Sequence, residues 1–214
     1  KDFSNECKYT IEDSSNENEY LYEALKVGMH DYISKSNLKG VLLGLSGGVD
    51  SALTLAIAND VFDKDEIEAV LLPSVYTSDL SIQLAKEQCE LLDINYSLIS
   101  IKDVNEIVNN ALKTRFNGLL NDITEENIQA RARGLLLMSI SNKTGKILLT
   151  TGNKSELAVG YSTLYGDMAG SFAPLKDIYK TDVYNLSKYR NTISSVIPQA
   201  VIDRMPTAEL SHDQ

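Results

Sequence analysis

The sequence predicts an α/β domain: a doubly wound, mostly parallel sheet with helices on both faces. Three observations carry this reading. Short apolar runs alternate along the chain with longer segments of helical periodicity. The runs are apolar at consecutive positions, as in strands covered on both faces. A glycine-rich turn joins the first run to the following segment, where sheets of this kind bind ligands.

The elements follow in order. Leu21, Leu25, Met29 and Ile33 recur at helical spacing and predict an amphipathic helix. Val41-Leu42-Leu43-Gly44-Leu45 reads as a buried strand. A helix is expected over residues 51–62, where Ala52, Leu55, Ala56 and Ala58 are good formers. A second strand covers 67–72 and is stopped by Pro73. A helix over 80–92, a third strand over 94–101 and a helix over 104–113 come next. Thr124 is read as the N-cap of a helix running to about Asn142, with Glu125 and Glu126 in its first turn. A fourth strand covers 146–151, and a polar break at 191–195 reads as a loop.

Residues 1–18 are rich in Ser, Asn, Glu and Asp and read as a linker or tail. Residues 19–214 form the expected domain, long enough for one core. The first residue is Lys1 rather than Met, so a fragment or trimmed product is expected. The formal net charge of −10 opposes nucleic-acid backbones. No apolar stretch spans a bilayer and no leader is visible, so no membrane role is expected. Cys7 and Cys89 read as reduced thiols of a cytoplasmic protein, not a disulfide framework. His30 and His212 lie far apart, which argues against histidine-based catalysis.

The segment Gly44-Leu45-Ser46-Gly47-Gly48-Val49-Asp50-Ser51 lies between a strand and a helix. A helix N-terminus offers free backbone N–H groups and partial positive charge, and glycines let an oxyanion approach them. Phosphate therefore suits this loop. It lacks the Gly-Lys-Ser/Thr of a Walker loop and the Gly-x-Gly-x-x-Gly spacing of a dinucleotide loop. What remains is Ser-Gly-Gly-x-Asp-Ser, with a carboxylate among phosphate-binding amides. That is sensible when a cation bridges the two, and Mg²⁺ takes one or two carboxylates plus phosphate oxygens. Asp50 therefore reads as a metal ligand. The loop resembles the pyrophosphate loop of the ATP-pyrophosphatase superfamily, which implies release of AMP and pyrophosphate.

Two further blocks sharpen the resemblance. One is Thr124-Glu125-Glu126-Asn127-Ile128-Gln129-Ala130-Arg131-Ala132-Arg133-Gly134; the other runs from Leu149-Thr150-Thr151-Gly152-Asn153-Lys154-Ser155-Glu156 to Gly170. Together they closely resemble the NAD synthetases, above all the synthetase portion of the glutamine-dependent, two-domain form, over nearly all of 19–214. The resemblance implies an adenine nucleotide alpha hydrolase-like fold. It also implies ATP-dependent amidation of deamido-NAD (nicotinate adenine dinucleotide) to NAD through an adenylated carboxylate. The chemical need is plain: a carboxylate has no good leaving group toward ammonia, and AMP is one.

By the same resemblance Gly44, Leu45, Ser46, Gly47, Gly48, Val49, Asp50 and Ser51, with Thr151, Lys180 and Thr207, match ATP contacts. Asp50 and Glu156 match magnesium carboxylates. Asn127, Arg131 and Glu156 match contacts to deamido-NAD. Asp50 and Lys180 are the implied catalytic pair. The lesser alternatives are solvated surface positions for Arg131, Arg133, Lys180 and Glu156, a first-turn helix residue for Asn127 and a turn for Thr207; Tyr161 and Tyr165 are read as packing residues. The ammonia-only members carry Lys and Asp where this chain has Leu164 and Ser171, which favours the glutamine-dependent branch. The resemblance implies a homodimer, a glutaminase domain elsewhere in the full-length protein, and nitrogen from glutamine or free ammonia. Cys7 lacks the context of a glutaminase nucleophile. Family members continue beyond the position of Gln214, so a C-terminal truncation is expected. The alternatives are another AMP-forming amidotransferase, such as one acting on a purine nucleotide, and a nucleotide-binding module without turnover.

Overall fold

The computed structural model describes residues 16–36 and 38–211. The expected tail therefore lies almost wholly outside the described residues, as do Cys7 and His212. The first helix, α1 (Glu17–Ser34), starts two residues before the expected domain boundary.

Four parallel strands form one sheet in the order β3-β2-β1-β4: β1 (Val41–Gly44), β2 (Ile67–Leu71), β3 (Tyr96–Leu98) and β4 (Ile147–Leu149). Val41 pairs with Ile67 on one side and Ile147 on the other. The chain first builds outward from β1 through β2 to β3, then returns to add β4 on the opposite side. The reversal leaves a crevice at the carboxyl ends of β1 and β4.

Strand side chains alternate between two apolar layers. Leu43, Ala69, Leu71, Ile147 and Leu149 enter the larger core with α1, α2 (Val49–Asn59), α3 (Asp79–Leu92) and α7 (Lys180–Ile193). Leu42, Val70 and Leu148 point the other way, toward Ile101 and Ala132 and the partly buried Val104, Leu136 and Leu137 of α4 (Lys102–Leu112) and α5 (Ile123–Thr144). Both faces of the sheet are thus covered, as expected from the continuous apolar runs. In the middle of the larger core, α2 buries Val49 and every residue from Ser51 to Ala58.

One polar knot fastens three of these helices. The Arg190 guanidinium donates from Nε to Asp60 Oδ2 at 2.6 Å and from Nη2 to Oδ1 at 2.7 Å. The Tyr22 hydroxyl donates to the same carboxylate at 2.8 Å. Burial and the neighbouring Asp60 raise the Tyr22 hydroxyl well above the ordinary tyrosine range.

Three expectations need correction. The third strand spans only Tyr96–Leu98, because it is an edge strand with both Tyr96 and Leu98 exposed; Ile94 and Ile101 are buried from flanking turns. The cap of α5 is Asp122, whose carboxylate accepts from Thr124 N at 2.7 Å; Glu125 reaches back to Asp122 N at 2.8 Å, completing a capping box. Asn191 to Ile193 belong to α7, and the turn begins after them. The Asn191 side chain governs that turn, accepting from Val196 N and Ile197 N and donating to Ile197 O.

Candidate active site

The turn between β1 and α2 is shaped by its own hydroxyls. Ser51 Oγ accepts from Ser46 N at 3.2 Å and donates to Gly48 O at 3.0 Å. Ser46 Oγ accepts from Gly48 N at 3.2 Å. Gly47 has φ of 80°, and a Cβ there would stand 2.3 Å from Ser81 O, so the turn packs main chain to main chain against the start of α3. The capping residue of α2, Gly48, has no side chain to satisfy the first-turn amides. A strand end, a tight turn and an uncapped helix start make an oxyanion cradle.

This turn forms one wall of an open cleft of about 1070 Å³. Ser46, Gly47, Gly48, Val49, Asp50, Ser51, Thr151, Glu156, Lys180 and Thr207 all line it. Ten of the expected site residues, from five separate stretches of chain, are thereby brought together. Gly44 and Leu45 fall outside this cleft. Gly44 is the last residue of β1 and packs toward Leu137. Leu45 lines a smaller neighbouring cavity of about 150 Å³, together with Ser46, Leu72, Ser81, Arg133 and Glu209.

Asp50 accepts from two sides. Asn153 Nδ2 donates to Oδ1 at 2.8 Å, and the Lys180 ammonium pairs with Oδ2. Glu156 lies in the first turn of α6 (Lys154–Val159) in a capping box with Asn153: Glu156 N donates to Asn153 Oδ1 at 3.0 Å, and Asn153 N donates to Glu156 Oε2 at 3.1 Å. Burial, and then the Asp50 charge, raise the Glu156 carboxyl above its ordinary value; Lys180 opposes them. Burial likewise raises Asp167 on the cleft wall. Among the described residues no group of three or more His, Cys, Asp or Glu side chains could hold a metal by itself. Two acids facing a phosphate cradle fit Mg²⁺, which takes its remaining ligands from phosphate and water.

Asn127 and Arg131 take no part in this cleft. They lie on one face of α5, as their spacing predicts, and clasp the loop after α6. Asn127 Oδ1 accepts from Thr163 Oγ1 at 2.7 Å, and Arg131 Nε donates to Leu164 O at 3.2 Å. Further along that face a Cβ on Gly134 would stand 2.8 Å from Gly166 O, and one on Gly166 would stand 3.0 Å from Ala130. Helix and loop therefore meet through bare backbone. Tyr161 and Tyr165 do not pack within this chain as expected: they are 54% and 85% exposed. Burial, then the carboxylates of Glu126, Glu156 and Asp167, raise the Tyr161 hydroxyl.

Sequence reasoning missed Asn153, Ser155, Arg204 and Glu209 as site residues. Ser155 Oγ accepts from Lys180 N at 3.0 Å and so fixes the start of α7. Glu209 accepts from Ser78 N, Ser78 Oγ, Ser81 Oγ and Arg204 Nη2 at 2.6–3.1 Å. It pins the segment carrying Thr207 to the turn that packs on Gly47. The Asn-x-x-Glu signature of a capping box was readable at Asn153; the reach of Glu209, across 131 residues to Ser78, was not.

A family model for NAD synthase matches residues 21–214. Among curated relatives, a glutamine-dependent NAD(+) synthetase of Acinetobacter baylyi is 53% identical over 199 residues, 91% of this chain and 36% of the relative. The Thermotoga maritima protein of the same name is 48% identical, over 92% and 34% of the two chains. This chain thus spans about a third of the length of those relatives. Among solved structures, the glutamine-dependent NAD+ synthetase from Acinetobacter baumannii in complex with ADP superposes with a TM-score of 0.89 at 46% identity, over 94% of this chain and 38% of that one. An NMN synthetase from Francisella tularensis gives 0.84 at 28% identity, over 93% and 79%. The fold is therefore the adenine nucleotide alpha hydrolase-like fold of these enzymes. With the glycine turn, the facing carboxylates and the match over residues 21–214, this chain belongs to the NAD synthase family.

Proposed function

We propose that the chain carries the amidating half-reactions of an NAD synthetase. ATP and deamido-NAD are converted to an adenylated dinucleotide and pyrophosphate, and ammonia then displaces AMP to give NAD. The observation that carries this reading is the meeting of Asp50, Glu156 and Lys180 at the mouth of the glycine turn, in one cleft. The amides of residues 47–51 bind phosphate oxygens of ATP, and the Ser46 and Ser51 hydroxyls are within the same turn. Asp50 and Glu156 are the residues that would hold Mg²⁺; when bound, it supplies charge neutralisation of the phosphates. The Lys180 ammonium opposes the charge that develops as the acceptor carboxylate closes on the α-phosphorus and pyrophosphate departs. Thr151, at the carboxyl edge of β4, and Thr207 orient the nucleotide. The protein's contribution is alignment of reactants and a preorganised cation field.

Asn127 and Arg131 hold the loop that exposes Leu164 and Tyr165. In the dimer we propose, this face meets a second copy and completes the deamido-NAD site. The nitrogen is free ammonia for this chain alone, and glutamine-derived ammonia where a glutaminase domain accompanies it. Among the described residues no helix is long and apolar enough to cross a membrane; a cytoplasmic location is part of the proposal.

The test combines protein, Mg-ATP, ammonium chloride and deamido-NAD, with chromatographic separation of products. NAD, AMP and pyrophosphate are expected in equal amounts. A parallel arm replaces deamido-NAD with nicotinate mononucleotide, because the NMN synthetase neighbour superposes over 79% of its length. Preference for the mononucleotide would reassign the acceptor. ADP as product, or turnover independent of either acceptor, would overturn the reading.

A further inference from the structure

We infer that Asn153 is the positioning residue of the divalent-cation site: its side-chain amide holds the Asp50 carboxylate while its main-chain N–H holds that of Glu156. The inference rests on the reading of Asp50 and Glu156 as the residues that would hold Mg²⁺.

Asn153 is fully buried, with 0% of its surface exposed, so each of its polar atoms needs a partner. All three have one. Its side-chain oxygen accepts from Glu156 N at 3.0 Å, its backbone N–H donates to Glu156 Oε2 at 3.1 Å, and its Nδ2 donates to Asp50 Oδ1 at 2.8 Å. The arrangement fixes the orientation of the amide. The acceptor end must face the helix N–H, which leaves the donor end for Asp50.

The choice of residue follows from that double duty. Ser and Asp cap a helix about as well as Asn does, and Thr somewhat less well. None of them caps with one atom while donating from another to a carboxylate 103 positions earlier in the chain. Asp would also set a third negative charge against Asp50. The neutral donor orients Asp50 without competing for a cation, whereas Lys180 on the other oxygen carries a charge that a cation must displace. Hydrogen-bond partners that hold ligating carboxylates typically matter ~10- to 100-fold in metal affinity.

The experiment measures Mn²⁺ binding by electron paramagnetic resonance in the presence of the non-hydrolysable α,β-methylene analogue of ATP. It compares wild type, Asn153→Ser and Asp50→Asn. Asn153→Ser keeps a capping oxygen and is too short to reach Asp50. Its Mn²⁺ dissociation constant is expected to rise ~10- to 100-fold, with little change in melting temperature. Half-saturating Mg²⁺ for turnover should rise in parallel, and kcat should recover at high Mg²⁺. Asn153→Thr carries the same test if the serine variant does not fold. Wild-type Mn²⁺ affinity in Asn153→Ser would overturn the inference. So would a fall in melting temperature with a kcat loss that Mg²⁺ cannot restore, because the damage would then be to the fold and not to the cation site. Wild-type Mn²⁺ binding in Asp50→Asn would instead remove the cation-site reading beneath it.

Discussion

Lys180 and Asp50, 130 residues apart in the chain, are joined by an ion pair across the mouth of the cleft. The same carboxylate is the proposed magnesium ligand, so one acid serves two cations. Lysine is a compact charge on a flexible stem, able to pair with Asp50 and to turn toward phosphate when a nucleotide binds. The Lys180→Met variant should therefore separate two effects. Turnover should fall about 100- to 1,000-fold, the usual loss for one preorganised charge-stabilising donor. Mn²⁺ binding without nucleotide should tighten. Unchanged or weaker Mn²⁺ binding, read by titration, would show that the ion pair does not compete with the metal.

Asp50→Asn should abolish AMP and pyrophosphate release while leaving the fold intact. The residue is in the first turn of α2 and half-buried; an amide of the same shape keeps one acceptor for Asn153 and gives up the ion pair to Lys180, whose side chain reaches solvent. Full activity in this variant would remove Asp50 from the chemistry. Circular dichroism and melting temperature provide the control for folding.

Glu209 makes an acid-sensitive contact. Burial pushes its carboxyl up, but hydrogen bonds from Ser78, Arg204 and Ser81 outweigh this and bring it below its ordinary 4.5. A lowered value means that the folded state favours the charged form. The resulting stability is present above pH 4.5 and is lost as pH falls through the lowered value. Glu209→Gln should melt a few degrees below wild type at neutral pH, and the gap should close in acid. A gap independent of pH would mean that the charge contributes nothing. Because the contact holds Thr207 and the α3 turn together, the same variant should weaken ATP binding more than it lowers kcat.

The Asp60–Arg190 pair is a structural prediction independent of catalysis. Arg190→Met leaves a partly buried carboxylate with only the Tyr22 hydroxyl as side-chain partner, and losing the buried Arg190 from the pair costs up to about 3 kcal/mol. For a chain of this size the melting temperature should fall by up to about 12 °C. The Asp60→Asn, Arg190→Met double variant should recover part of that loss, since no unpaired charge remains. Equal melting points for the single and double variants would show that the charge is not what matters.

Elements whose signal is local were legible in the sequence. The apolar run of β1, its glycine turn and the alanine-rich α2 were read together because one strand–turn–helix carries all three cues. The edge strand β3 was overextended because Ile94 and Ile101 are buried without being in the ladder, and burial and strand pairing look alike in a sequence. The cap of α5 was misplaced by two residues because Asp122 and Thr124 are both good capping types, and only geometry selects between them. The motif residues Asp50, Thr151 and Glu156 stand out in the sequence, and they line one cleft. Glu209 does not stand out, because its partners Ser78 and Ser81 are brought to it by the sheet topology. The helix-face spacing of Asn127 and Arg131 was read correctly, although that face meets a loop and lies outside the cleft.

The glycine-to-glycine seam between α5 and the loop after α6 has a consequence for how this scaffold can change. Because Gly134 and Gly166 bring two stretches of main chain together with nothing in between, the loop keeps its place whatever side chains it displays outward. Leu164 and Tyr165 project from it into solvent. The outer surface of this loop can therefore change without redesign of the frame that carries it, and in the dimer proposed above the second copy would meet an adjustable surface on a fixed support.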